Sequence, residues 1–270
     1  MTSTLEAPQQ SAASAFSIDR DGDLGILWFD LPGEKINKFS QAVMREFSEV
    51  IDQVAASDLK AIIIASRKPG IFIAGADVGE FLKVSSVEEG RELVRFGQQT
   101  FVKLSKIPQV TVAAIDGACM GGGCELAINC DWRVMSDSPR ASIGLPEVKL
   151  GIYPAWTGTT KLPRLIGLPA GLDIILNGKT VDGKRAKRMG LVDEVVEPGI
   201  LLDVAKQLTK RGKRRGGGRT KFFVEGNPFT RGIIFSKARK AVLEQTKGHY
   251  PAPLKAIDVM EYGFSNGVTK

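Results

Sequence analysis

Two glutamates set among small residues are the side chains of this 270-residue chain best suited to proton chemistry. Glu125 follows the glycines Gly121, Gly122 and Gly123 in the stretch Ile115 to Ala127, I-D-G-A-C-M-G-G-G-C-E-L-A. Val110 to Ile115 reads as a strand of β-branched and small apolar residues, and Glu125 to Cys130 as the start of a helix with Leu126, Ala127 and Ile128 packed inward. Glycine between them permits positive φ and leaves backbone N–H groups unscreened by a Cβ, and a helix N-terminus adds about half a positive charge. Such a corner suits an oxyanion; the same pattern also describes a tight turn with a solvated capping glutamate. Glu147 stands in Gly144-Leu145-Pro146-Glu147-Val148, just beyond a short strand, where Pro146 restricts the backbone. Alone it also reads as a surface glutamate. A third segment, Phe72-Ile73-Ala74-Gly75-Ala76-Asp77, ends a strand in small residues that again expose N–H groups. The only histidine, His249, stands in what reads as a linker, so proton transfer falls to carboxylates.

The elements around these residues follow from pattern. The polar, aperiodic stretch 1–15 is expected to be a disordered lead-in. Phe16 to Arg20 and Leu24 to Asp30 read as paired strands, and Ser40 caps a helix to about Ala56 with Val43, Phe47, Val50, Ile51 and Val54 on one face. Leu59 to Ala65 is a buried strand. Val78 to Leu82 and Glu88 to Leu104 are helical, the latter with Leu93, Phe96, Phe101 and Leu104 apolar. Strands followed by a helix, repeated three times, favour an α/β fold of β-β-α turns over a simple alternating β-α sheet, with a wound parallel sheet as the alternative. Later helices are expected at Lys161 to Ile166, Ala170 to Leu176, Gly183 to Met189, Ile200 to Thr209, Ile233 to Glu244 and Pro253 to Tyr262, the last ones as a separate layer.

Composition excludes other classes. No apolar run approaches the roughly 20 residues that span a bilayer, and no signal sequence or clear transit peptide is present, so a cytoplasmic protein is expected, or a matrix one if the source is eukaryotic. Cys119, Cys124 and Cys130 fit no zinc spacing and read as core residues, with no metal expected. The net charge of +7 is concentrated in Lys206, Lys210, Arg211, Lys213, Arg214, Arg215, Arg219 and Lys221. That run reads as a solvated helix end and loop, or as a patch for an anionic group; without interleaved aromatics it does not read as a nucleic-acid site.

From about Phe16 to Tyr262 the chain resembles the enoyl-CoA hydratase/isomerase (crotonase) family, and most closely the N-terminal hydratase part of multifunctional fatty-acid oxidation enzymes. The resemblance is carried, in order, by Ile73 to Val78, by Asp116-Gly117 through Gly121 to Ala127, by Gly144 to Glu147 with Leu150-Gly151, and by Leu162-Pro163-Arg164-Leu165-Ile166-Gly167. Thr246 to Pro253 resembles the start of that enzyme's connection toward its dehydrogenase part, although no G-x-G-x-x-G motif follows. The resemblance implies a crotonase-type superhelix of repeated β-β-α units over 16–200 with a C-terminal helical layer over 201–270.

It also implies an acyl-CoA thioester substrate and hydration of 2-enoyl-CoA in β-oxidation. Glu125 would act as base and Glu147 as acid, and the backbone N–H groups of Ala76 and Gly122 would form an oxyanion hole. Ala74, Gly75, Asp77, Gly121 and Trp156 would contact substrate, with no cofactor. Δ3-Δ2 enoyl-CoA isomerisation by Glu147 is the alternative on the same site. Other acyl-CoA chemistries of the scaffold, and a non-catalytic acyl-CoA-binding domain, are further readings. Assembly as a homotrimer or hexamer, or with a thiolase subunit, is the implied quaternary structure. For the anionic end of CoA the basic run near Lys213 is a candidate, and other lysines would serve equally well. One departure stands out: where the family has P-G-x-G-G-T, this chain has Pro154-Ala155-Trp156-Thr157-Gly158-Thr159. Ala155 and Thr157 replace glycines near the expected water position, and Trp156 is expected to narrow the acyl tunnel.

Overall fold

A computed structural model describes residues 14–214 and 227–266. Most of the expected lead-in, and Arg215, Arg219 and Lys221 of the basic run, lie outside the described residues. Ala15 already belongs to the core.

The chain winds through repeated β-β-α turns. The first is β1 (Phe16–Asp21), β2 (Leu24–Phe29) and α1 (Gln41–Ala56). The second is β3 (Ala61–Ser66), β4 (Ile71–Ile73), α2 (Val78–Phe81) and α3 (Val87–Leu104), and the third is β5 (Val110–Ile115), β6 (Ala118–Met120) and α4 (Gly122–Asn129). A fourth begins with β7 (Trp132–Ser136) and β8 (Ser142–Gly144), followed by a 3-10 turn (Glu147–Leu150), α5 (Gly158–Ile166) and α6 (Leu168–Asn177). Then come β9 (Thr180–Val181), α7 (Gly183–Met189), β10 (Glu194–Val196), a 3-10 turn (Pro198–Ile200), α8 (Leu201–Thr209), α9 (Pro228–Thr246) and α10 (Pro251–Asn266). No helix among the described residues is long and apolar enough to cross a membrane.

From the second turn onward each unit gives its first strand to one sheet and its second to another. The six-stranded sheet runs β1-β2-β3-β5-β7-β10 and the four-stranded sheet β4-β6-β8-β9. In the large sheet only the β1–β2 pair is antiparallel. Its central strands are apolar on both faces, as parallel strands covered on both sides must be. Ile62, Ile64, Ala113 and Ile115 face the main core, while their neighbours Ile63, Ala65, Val112 and Ala114 pack under Leu201, Ala205 and Leu208 of α8. The period-two alternation therefore feeds two separate cores.

Several boundaries differ from those expected. Ala118–Met120 is a strand that pairs with β4 and β8, too short and too closely flanked by glycine to show a period. The helix of the glycine corner begins at Gly122, so glycines of low helix propensity occupy its first turn and Glu125 is its fourth residue. Helix α5 likewise begins at Gly158. The stretch Thr246 to Pro253, which resembles the start of a connection, packs on the domain, and the last helix begins at Pro251. The Tyr250 hydroxyl donates to the Val148 carbonyl, and Ala252, Pro253, Ala256, Ile257 and Met260 bury one side of α10.

Asn37, in the loop before α1, ties these pieces together although nothing local marks it. Its side-chain amide donates to the Phe29 carbonyl (2.8 Å) and Ser66 Oγ (2.9 Å), its Oδ1 accepts from Leu31 N–H (2.9 Å), and its own carbonyl accepts from Ala74 N–H (2.8 Å). Asn37→Ala strips buried partners of their bonds, and unpaired buried groups cost about 1–3 kcal/mol each. Urea unfolding is expected to show a loss of about 3 kcal/mol at an unchanged m-value.

Candidate active site

Two small-residue corners from different sheet strands converge on one cavity of about 510 Å³. At the first, β4 ends at Ile73 and the chain is held extended against the segment before α1: Phe39 N–H donates to the Gly75 carbonyl and Asp77 N–H to the Phe39 carbonyl, both within 2.9 Å. At the second, β6 ends and Gly121, at φ +52°, turns the chain into α4. The corners touch. A Cβ built on Gly122 would stand 3.7 Å from Ala76 N, and one on Gly75 would stand 3.9 Å from Gly122 N. Neither the Ala76 nor the Gly122 N–H is taken by an acceptor among the described residues. Two free donors thus lie side by side at the N-terminus of α4, the arrangement that holds a developing oxyanion.

Both glutamates line the same cavity. Glu125 is 2% exposed, and its Oε1 accepts from Gly158 N–H at 2.7 Å. Glu147 opens the 3-10 turn beyond β8, with Oε1 3.2 Å from where a Cβ on Gly121 would lie. Its Oε2 is buried without a hydrogen-bond partner among the described residues. Burial raises the pKa of both carboxyls: Glu147 is pushed to about 7, and Glu125 well above the carboxylate range by desolvation first and the neighbouring Glu147 charge second. The Gly158 and Trp156 backbone N–H groups oppose part of the Glu125 shift. Near neutral pH the pair shares a proton, so one carboxyl is set as an acid and the other as a base.

Ala74, Gly75, Ala76, Gly121, Gly122 and Trp156 line the cavity with the glutamates. Asp77 does not. Its Oδ1 caps α2 through Gly79 N–H (3.1 Å), and its other oxygen pairs with Lys38 (3.2 Å), so its charge is spent on holding the corner's shape. The paired cations of the basic run among the described residues are also elsewhere. Lys206 pairs with Asp21, Arg211 with Glu194, Lys213 with Asp131 and Arg214 with Asp193, and none of the four lines the cavity. Asp131, the partner of Lys213, directly follows the C-cap of α4, at the end opposite its N-terminus. Lys255 of α10 stands at the cavity instead.

The apolar wall is the part that motif reading missed. Phe81, Leu93, Val94, Leu150, Ile152 and Tyr153 line the cavity together with Pro251 and Ala252 of α10. The apolar stripe of α3 was a usable signal, but its period does not distinguish a core face from a cavity face. Phe101 and Leu104 are core, whereas Leu93 faces the cavity and Phe96 a second, adjoining one of about 330 Å³. Trp156 stands between the two cavities and lines both, its ring edge-on to Phe39 and Phe101 at 6.1 and 5.6 Å.

Residues 25–217 match a family model described as enoyl-CoA hydratase/isomerase. The chain is 41% identical over 256 residues to a protein of Shewanella frigidimarina named fatty acid oxidation complex subunit alpha, covering 93% of this chain and 36% of that one. A protein of the same name from Vibrio parahaemolyticus is 41% identical over 263 residues, covering 95% and 37%. The chain thus spans 36–37% of the length of these relatives. The crystal structure of an enoyl-CoA hydratase from Bacillus anthracis is similar at 26% identity, with 93% of this chain and 90% of that one covered and a TM-score of 0.67.

The raised carboxyl pKa values carry a stability cost with a defined pH window. A carboxyl whose pKa rises on folding leaves stability intact below its unfolded value and removes it as pH climbs through the folded one, here from 4.5 to about 7 for Glu147. Glu147→Gln is therefore expected to match the parent near pH 4 and to exceed it at pH 8, by up to about 3 kcal/mol. Thermal melts at the two pH values check this.

Proposed function

Because the chain belongs to the enoyl-CoA hydratase/isomerase family, we propose that its cavity adds water to 2-enoyl-CoA thioesters to give 3-hydroxyacyl-CoA. The observation that carries this reading is the pair of buried carboxyls, both with raised pKa, beside two free N–H donors. In the protonation state that reacts, the pair's proton lies on Glu147 and Glu125 is ionised against the Gly158 N–H. Water attacks the β-carbon of the enoyl group while the Glu125 carboxylate takes its proton. The electron pair of the double bond moves toward the thioester oxygen, where the Ala76 and Gly122 N–H groups receive the charge. Glu147, as the acid, then gives its proton to the α-carbon, and the pair is left with one proton as before. Every proton is accounted for by the two carboxyls and water, so the proposal assigns no cofactor.

The apolar wall suits the acyl chain, and Lys255 at the cavity's edge takes over from the run near Lys213 as the cation for the anionic end of CoA. The names and lengths of the relatives support a role in fatty-acid oxidation, as the hydratase part of a multi-subunit assembly. Isomerisation of 3-enoyl-CoA is the second reading, favoured by one feature: Glu147 keeps an oxygen without a protein partner, so a single carboxylate would be free to move a proton between carbons.

Loss of enoyl-thioester ultraviolet absorbance with crotonyl-CoA tests the proposal. Glu125→Gln and Glu147→Gln are each expected to lower kcat by about 10²–10⁴. The parent's rate should fall on both sides of the pH at which the pair holds one proton. Absence of hydration, or isomerisation retained in Glu125→Gln, would reassign the site to the second reading.

A further inference from the structure

The residue that replaces a family glycine, Thr157, holds a backbone shape that threonine avoids. Its φ is +107°, and it is one of two non-glycine residues with positive φ among those described. For a β-branched residue this is a strained conformation, because Cβ crowds the neighbouring carbonyl. Thr157 is also the N-cap of α5, where a threonine hydroxyl normally accepts from the first free helical N–H groups. No such bond is made. The hydroxyl is instead bound by Asn129 Nδ2 at 2.6 Å, in a pocket where Asn129 and Thr157 are 3% and 2% exposed.

Asn129 lies one helical turn beyond Glu125 on α4, and its Nδ2 also donates to the Glu125 carbonyl at 2.7 Å. That carbonyl only accepts, which fixes the amide's orientation. The same face of α4 therefore grips two consecutive residues. Asn129 holds the Thr157 hydroxyl, and Glu125 Oε1 accepts the next N–H, that of Gly158. Little slack exists there: a Cβ on Gly158 would stand 2.9 Å from Glu125 Oε1 and 2.7 Å from Pro154 Cβ.

We propose that Asn129 and Thr157 are positioning residues, a clamp that substitutes for the missing glycine by holding residue 157 left-handed so that Gly158 N–H stays aimed at the Glu125 carboxylate. The inference rests on the hydration reading for its kinetic consequence, while its effect on Glu125 is independent of any reaction. Loss of the clamp loosens a bond that favours ionised Glu125, so the carboxyl should titrate higher.

The experiment compares the parent chain with Thr157→Ala, Thr157→Gly, Asn129→Ala and Asn129→Ala/Thr157→Gly. Thr157→Ala keeps the strained Cβ without its tether, and Thr157→Gly removes both. Thr157→Ala and Asn129→Ala are expected to lower kcat for crotonyl-CoA about tenfold with little change in KM. Thr157→Gly should lose several-fold less, and adding Asn129→Ala to it should cost no more than about twofold, a non-additivity that only a shared clamp produces. In glutamate-¹³C-labelled protein the Glu125 carboxyl should titrate at higher pH in Thr157→Ala and Asn129→Ala. An unmoved Glu125 titration in both would overturn the clamp, as would equal Asn129→Ala losses in the two backgrounds. A moved titration in a protein that hydrates nothing would uphold the clamp and defeat the hydration reading alone.

Discussion

Removing two carboxyls from water beside one another is the constraint on which the rest of this structure depends. Among the described residues neither glutamate has a basic side chain paired with it. Glu125 is met by backbone N–H groups at the start of α5, and Glu147 by its own N–H, so the cost of desolvation appears as raised proton affinity. A salt bridge would have lowered both pKa values and ended the acid–base pairing. Apolar walls that would be idle in another protein keep these groups poised.

Holding backbone donors at such a pair requires that helices and strands approach more closely than side chains allow. A Cβ on Gly123 would stand 2.6 Å from the Ile73 carbonyl, and one on Gly122 would stand 2.7 Å from the Trp156 ring. The glycines therefore serve packing as much as chemistry: they bring α4 against β4 and leave room for a large ring beside the donors. The β-β-α winding makes this possible, because β4, β6 and β8 run parallel and so end on the same side of the small sheet.

The last helices finish the site. Pro251, Ala252 and Lys255 line the cavity, and Tyr250 bonds to the turn that follows Glu147, accepting from Gly151 N–H at 3.0 Å as well as donating to Val148. The turn carrying one catalytic candidate is thus braced by a segment far away in the chain. Residues 251, 252 and 255, late in the chain, are thus part of the cavity wall.

The α/β class, the repeated β-β-α order, two glutamates suited to proton chemistry and the small-residue corners beside them are legible in the sequence. Each of these is local: glycine's freedom, a strand's alternation and a carboxylate's chemistry belong to the residue and its immediate neighbours. Only the tertiary structure settles that Asp77 is a helix cap, that Lys213 and Arg214 are paired away from the cavity, that Leu93 faces the cavity while Phe101 faces core, and that Asn37 and Asn129 bond buried groups distant in sequence. Those outcomes are set by contacts between residues distant in sequence. An asparagine or an apolar side chain carries no local mark of which partner or face it will meet, because burial and pairing are properties of the assembled space.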